Sequence, residues 1–319
     1  MFAALLCTVL FSASAVSARK TTEHIGGTEA NFTRLIFAPV LMLLIALSFG
    51  PGLAGYWHPT LFGLFFLSGA IGFGVGDIAL FQAFPLIGSR LTTLIVHCVS
   101  VPVAATIEYL WLGTTMTTAQ IVCAVIILSG VAVALAPREN LHIKRRDLFK
   151  GIGWGLIAAI GQGFGAGVLS RYIYKLAKEM DTPLPLDGFH AGITVAVQRM
   201  LGGMVFSGLC LLAFRAWLLR RPDSPSLGNL TRRDNQWRPA LPWLFATGLA
   251  GPALGVTCYQ WALLDNPTGV VLPIIAVTPL VVIPMSIAMK EEKPSWRALI
   301  GGVIAVGGVV GMVMMTKAQ

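Results

Sequence analysis

The sequence predicts an all-α membrane protein of ten transmembrane helices arranged as two inverted five-helix repeats. Three observations predict it: an apolar composition, ten apolar runs of similar length, and an internal match between the two halves. Of the 319 residues, 55% are hydrophobic and 12% charged, with 35 glycines and 18 prolines. A soluble domain carries about 25% charged residues. No soluble core of this size hides so much apolar surface, whereas a bilayer does. Glycine and proline are also more frequent in membrane helices than in soluble ones.

The apolar runs fall at 2–18, 32–49, 61–81, 91–112, 118–136, 151–173, 190–214, 241–263, 268–289 and 297–315. Each is near the ~20 residues that a helix needs to cross ~30 Å of hydrocarbon. Such a span has to be helical, because lipid offers backbone N–H and C=O groups no partners. The first run, MFAALLCTVLFSASAVSA, ends in small residues as a cleavable leader does. No basic residue precedes it, however, and its removal would break the repeat, so a retained first helix is expected.

The repeat is legible in the residues. VSVPVAATIEYLWLGTTMTTAQIVCAVIILSGVAVAL (99–135) matches AVTPLVVIPMSIAMKEEKPSWRALIGGVIAVGGVVGM (276–312), pairing Pro102 with Pro279 and Gly130 with Gly307 at one constant offset. Arg34 of the second span pairs with Arg199 of the seventh, and Arg19 with Arg171. Correspondences that keep their order are the signature of an internal duplication. The expected organisation is a first five-helix unit over 1–136, a basic linker PRENLHIKRRDLFK over 137–150, and a second unit over 151–319. Five spans per unit is an odd number, so the second copy enters the membrane upside down. Transporters built this way place their substrate site near the midplane, between the repeats.

All but five of the 23 Lys and Arg fall in or beside the gaps on one face of the bundle; the exceptions are Arg171, Lys175, Lys178, Arg199 and Lys317. The positive-inside rule makes that basic face cytoplasmic and puts both termini outside. The formal charge of +9 is therefore read as membrane orientation and not as a nucleic-acid surface. Asn31-Phe-Thr and Asn229-Leu-Thr lie on that same face and read as chance sequons. The five cysteines sit in separate apolar runs with no C-x-x-C, which suits small buried hydrophobes better than a disulfide or metal framework.

Two segments carry a family pattern: QAFPLIGSRLTTLIVHCVSVPVAATIEYLWLG (82–113) and QWALLDNPTGVVLPIIAVTPLVVIPMSIAMKEEKPSWRALIGGVIAVGG (260–308). Both read as a short turn, a proline-bearing helix, a polar or acidic turn and a Gly-rich helix. In this the chain resembles the EamA family of the drug/metabolite transporter superfamily. The acidic turn survives as Lys290-Glu291-Glu292 in the second copy and is Gly113-Thr114-Thr115 in the first. The resemblance implies ten helices, carriage of amino acids or other small metabolites, usually outward, and termini in the cytoplasm, opposite to the charge count. A multi-pass protein of the cell (inner) membrane is expected, with a small-molecule substrate, the lipid bilayer as its surroundings, and a monomer sufficient to enclose a site.

Ionisable residues inside spans are costly and are functional candidates. His97 and Glu108 lie eleven residues apart on the fourth span, and three helical turns cover about 10.8 residues, so both point to nearly one face. Arg199 lies deep in the seventh span; its equivalence to Arg34 favours a shared structural role, and the alternative is that its guanidinium fork binds a carboxylate. Gln162 and Gln260 are neutral polar candidates, with Gln82 and Gln198 behind them; Asp77 reads as an ion-pair partner at a helix end. The expected substrate-binding set is His97, Glu108, Arg199, Gln162 and Gln260, with proton exchange at His97 or Glu108 left open. Pro102, Pro273 and Pro279, with Pro284, would kink the fourth and ninth spans and free carbonyls to line a cavity. GFGVG (72–76), GIGWG (151–155) and GQGFGAG (161–167) lie inside apolar spans and are read as close helix packing, not dinucleotide fingerprints. H-E-x-x-H and G-x-S-x-G are both missing from the sequence. No catalytic residue, metal or cofactor is expected. A nucleotide-sugar or organic-phosphate carrier is the alternative transporter, and a membrane scaffold or sensor the alternative of another class.

Overall fold

The computed structural model describes residues 1–25, 27–49, 58–135, 144–180, 188–219, 236–288 and 296–317. The linker over 137–143, the acidic turn at Lys290-Glu291-Glu292 and Asn229 lie outside them. The described chain runs α1 (Phe2–Ile25), α2 (Gly27–Phe49), α3 (Pro59–Gly69), π1 (Ala70–Gly76), α4 (Asp77–Leu112), α5 (Thr118–Leu135), α6 (Arg145–Ile160), π2 (Gly161–Val168), α7 (Leu169–Glu179), α8 (Gly188–Leu219), α9 (Trp237–Gly248), π3 (Leu249–Gly255), α10 (Val256–Asp265), α11 (Thr268–Ile275), α12 (Thr278–Ala288) and α13 (Trp296–Lys317).

Eight stretches are long and apolar enough to cross a membrane: Pro59–Leu80, Leu91–Leu112, Thr118–Leu135, Arg145–Glu179, Gly188–Ala213, Trp237–Asp265, Thr268–Met285 and Trp296–Thr316. The two remaining apolar helices, Phe2–Ala18 and Phe32–Ile45, are shorter than these. The described residues thus present eight full-length spans and two shorter apolar helices. Both helices nonetheless belong to the bundle. Thr8 and Ser12 of α1 donate to the carbonyls of Ile274 and Thr278 at 3.2 and 3.0 Å, and Ser14 meets Thr247 at 3.0 Å.

Helix α4 keeps helical backbone from end to end, yet Ala79 and Val96 both pack on Ala158. A straight helix would hold them ~25 Å apart. The axis therefore reverses between them, and α4 contributes the end of one membrane crossing and the whole of the next. The two related helices α5 and α13 run antiparallel: Cys123 lies beside Gly311, Ile127 beside Gly308, and Gly130 beside Gly301 and Ala305. Antiparallel packing of equivalent helices is what an inverted relation between repeats requires. The glycines allow it by bringing the two backbones together. Gly307, the repeat partner of Gly130, faces open space instead.

The glycine strings do more than pack. Ala70–Gly76 (AIGFGVG) and Gly161–Val168 (GQGFGAGV) are π-helical, as is Leu249–Gly255 (LAGPALG). Residues without a Cβ oppose the wider turn least. In π3, Pro252 removes a donor from the ladder, which itself favours a changed register. Such segments mark functional sites more often than chance. Here π1 and π3 occupy the equivalent spans of the two halves. The ninth span breaks at Ala276–Val277, between Pro273 and Pro279. The backbone stays helical through Pro102, whose side chain is exposed.

Candidate functional site

Two glycine contacts position the most buried charge. A Cβ placed on Gly69 would fall on the Arg199 carbonyl, and one on Gly202 would fall on the Phe66 carbonyl. Helices α3 and α8 thus cross backbone to backbone, and Arg199 enters the bundle interior, 1% exposed. Gly69 lies ten residues from the start of α3, about 15 Å along the axis, which is midway through a ~30 Å hydrocarbon core. Segments π1 and π2 meet in the same way: a Cβ on Gly161 would lie 2.7 Å from the Gly76 Cα, and one on Gly165 would lie 2.9 Å from the Gly72 nitrogen.

Around Arg199 the partners are neutral. Its Nη1 donates to the Ala166 carbonyl at 3.1 Å and to Ser170 Oγ at 3.3 Å, and its guanidinium carbon stands 5.5 Å from the Phe73 ring centre. Ser68 links the same group, meeting Ser170 Oγ at 3.3 Å and donating to the Gly165 carbonyl at 2.6 Å. Gln260, fully buried, extends Nε2 to the same Ala166 carbonyl at 3.5 Å and accepts from Tyr174 OH at 3.1 Å. Four buried polar atoms nearby on these elements lack a hydrogen-bond partner: Arg199 Nε, Gln198 Oε1, Tyr259 OH and Thr268 Oγ1.

The next residues of α7 build a second cluster. Arg171 donates from Nη1 to the carbonyls of Leu263 and Leu264, each at 2.7 Å, at the C-terminal end of α10. Its Nε faces Glu108 Oε1 at 3.6 Å, while Glu108 Oε2 accepts the Thr268 N–H at 2.7 Å. Lys175 donates to the Leu112 carbonyl at 3.0 Å, capping α4. Arg171, Tyr174, Lys175, Lys178, Leu264 and Asp265 line a pocket of about 240 Å³. It opens at the ends of α4, α7 and α10, the face opposite the basic one.

The structure thus brings Arg199 and Gln260 onto one carbonyl and sets Glu108 in the adjoining cluster. His97 lies three turns along α4 from Glu108, half-buried; its carbonyl accepts from Ser100 Oγ at 3.4 Å. Gln162 is half-buried in π2. Neither side chain hydrogen-bonds to Arg199 or Gln260. Arg34 pairs with Asp77, Nη2 to Oδ2, at 3.2 Å. Sequence reasoning missed Ser170, Tyr174, Tyr259, Thr268 and Lys175 as members. The available signal was the spacing of Arg171, Tyr174, Lys175 and Lys178, which lays them along one face of α7. Among the described residues no group of three or more His, Cys, Asp or Glu could hold a metal ion, and the five cysteines are unpaired.

Apolar helices around a polar, charged interior define a multi-pass integral membrane protein with an internal site. The chain belongs to the EamA-like transporter family, whose model matches residues 1–136 and 149–314. Members of that family are membrane transporters. Among 29 solved chains that match the fold is a crystal structure covering 99% of this chain and 99% of its own. It has a TM-score of 0.72 and 14% sequence identity, a likeness of fold alone. No curated protein matches the chain by sequence.

Proposed function

We propose that the chain is a ten-helix carrier of two inverted five-helix units that exports small polar metabolites such as amino acids by alternating access. It works as a monomer in the cell (inner) membrane. One observation carries this reading: a guanidinium, 1% exposed and held by neutral groups, stands halfway across the bundle where π1, π2, α8 and α10 meet. A charge held in hydrocarbon at such cost marks a substrate or ion pathway. In this reading Arg199 and Gln260 contact the substrate, His97 and Gln162 line its route on α4 and π2, and His97 exchanges a proton if transport is proton-coupled. Glu108 joins the gate on the pocket side. The break between Pro273 and Pro279, with the π segments, supplies places where helices change register as access alternates.

A polyanionic substrate, an organic phosphate or nucleotide sugar, is the second reading. The pocket lined by Arg171, Lys175 and Lys178 favours it. Against it, Arg171 and Lys175 are already donating to helix-end carbonyls. The test is counterflow in proteoliposomes with amino acids, organic acids, organic phosphates and nucleotide sugars, alongside thermal unfolding. A ligand that binds only the folded state raises the midpoint. Flux of one class, lost in Arg199→Ala with the fold retained, supports the reading. Absence of flux for every class in folded protein would sink it in favour of a scaffold or sensor.

A further inference from the structure

Arg34 and Arg199 hold equivalent places in the two halves, but their surroundings differ by one charge. Arg34 pairs with Asp77, the first residue after π1. The first residue after π3 is Val256, and residues 237–264 contain no Asp or Glu at all. Val256 is buried in a cluster with Val197 and Met200. The second half thus has the arginine, but an aliphatic residue at the chain position that carries the carboxylate in the first half.

Among the described residues Arg199 makes no ion pair of its own, and no carboxylate lies within ion-pair distance of it. Asp77 is within electrostatic reach of both arginines, but its hydrogen-bonded partner is Arg34. Arg199 is left with one carbonyl, one hydroxyl and the face of Phe73, while its Nε has no acceptor. Tyr259 OH, 5% exposed, and Gln198 are also unpartnered. A Cβ on Gly167 would stand 3.3 Å from Tyr259 OH and would overlap the Thr268 side chain, so the glycine is what lets both side chains pack against π2. A buried guanidinium is tolerated when an anion meets it, and its planar fork fits a carboxylate best.

We propose that the missing acid arrives with the substrate: the ligand is a carboxylate-bearing metabolite whose carboxylate takes, on Arg199, the place that Asp77 takes on Arg34. Tyr259 OH donates to the same carboxylate, and Gln260 stands beside it on the shared Ala166 carbonyl. This rests on the transporter reading above. It adds that the carboxylate is required, and that the remainder of the ligand determines selectivity only.

Two measurements on the full-length, detergent-purified protein test it. In the first, L-alanine, L-leucine, L-phenylalanine and L-glutamate are compared with their α-carboxamides, and acetate and benzoate with acetamide and benzamide, in thermal unfolding and in proteoliposome counterflow. At least one acid raises the midpoint and exchanges, and its amide is at least tenfold weaker in both. In the second, Gln260→Glu places a carboxylate isosterically beside the guanidinium, with Gln260→Met as the control that removes the amide without adding charge. Ligand-free Gln260→Glu unfolds at a higher temperature than the parent and no longer responds to the acid; Gln260→Met unfolds lower. Amides as effective as acids overturn the carboxylate requirement while leaving transport intact. Gln260→Glu unfolding no higher than the parent removes the unmet charge itself. A stabilised Gln260→Glu in a protein that responds to no acid overturns the link between that charge and the ligand. Failure of every probe to exchange counts against transport, a separate result.

Discussion

Replacing Glu108 by alanine tests whether the cluster at the end of α7 holds the bundle together. The carboxylate is 2% exposed and its Arg171 partner 13%, so water screens the pair little. Two interactions end in this one group: a charge-assisted hydrogen bond to the Thr268 N–H at 2.7 Å and the ion pair to Arg171 Nε at 3.6 Å. Hydrogen bonds to charged groups contribute about 1.5–3 kcal/mol, and breaking a buried ion pair costs about 3–5 kcal/mol. The two share an atom set and do not add, so the loss for Glu108→Ala is about 3–5 kcal/mol. Thr268 opens α11, and its N–H is one of the helix-start donors that no intrahelical carbonyl serves. Glu108→Gln keeps an acceptor for that N–H and loses the charge, and falls about halfway between. A kcal/mol moves the midpoint of a large chain by roughly 2 °C, so Glu108→Ala drops it by about 6–10 °C. Tryptophan fluorescence during thermal unfolding in detergent reads this directly. A midpoint within about 1 °C of the parent would refute the clamp. Equal losses for Glu108→Ala and Glu108→Gln would show that the hydrogen bond to Thr268 contributes nothing.

Four further outcomes follow from the packing and the pocket. Gly69→Ala forces a Cβ onto the Arg199 carbonyl and lowers the unfolding midpoint by at least the ~1–3 kcal/mol of ordinary overpacking, whereas Gly63→Ala, with nothing within 4 Å of the added carbon, leaves it unchanged or higher. Gly301→Leu drives α5 and α13 apart at Gly130 and Ala134, and lowers monodispersity in size-exclusion chromatography as well as the midpoint; Gly302→Leu, which faces open space, does neither. Lys175→Met uncaps α4 and costs on the order of 1 kcal/mol. Lys178→Glu, an exposed pocket residue, leaves stability within about 0.5 kcal/mol and slows carboxylate exchange several-fold in proteoliposomes if the pocket is the substrate's mouth.

Period and composition made the helical bundle legible, because a membrane span must be a long apolar helix and little else satisfies its backbone. The duplication that relates α5 to α13 was legible from a matched proline and glycine at one offset; that the two helices pack on each other was not. The π segments were not. A G-x-G string in an apolar run is equally consistent with a tightly packed α-helix, and only the three-dimensional register of π1 against π2 distinguishes them. The reversal inside α4 was legible as a gap between two apolar runs, although the backbone remains helical through it. Within the site, Arg199 was conspicuous as a lone charge deep in a span. Ser170 and Thr268 were not, because a Ser or Thr hydroxyl in a membrane helix ordinarily bonds back to its own turn, and Tyr174 and Tyr259 were not, because a tyrosine in an apolar run reads as a packed aromatic. Thr8, Ser12 and Thr257 bond back here. Nothing local separates those from Thr268, whose hydroxyl is left unpartnered at the start of α11.

The repeat itself separates scaffold from site. Where both halves carry the same feature in the same place, as with π1 and π3, the feature serves the architecture twice. Where one half has lost what the other keeps, the difference cannot be owed to the fold, since the fold is already satisfied by the retained version. Arg34 with Asp77 is a complete pair that needs no ligand. Arg199 is the equivalent arginine with Val256, not an acid, as the first residue after π3, and it is 1% exposed, where an uncompensated charge is most expensive. A carrier that alternates between two faces has to hold its substrate against a site that is stable when filled and not too stable when empty. An arginine kept without its carboxylate meets that requirement, and a completed ion pair does not.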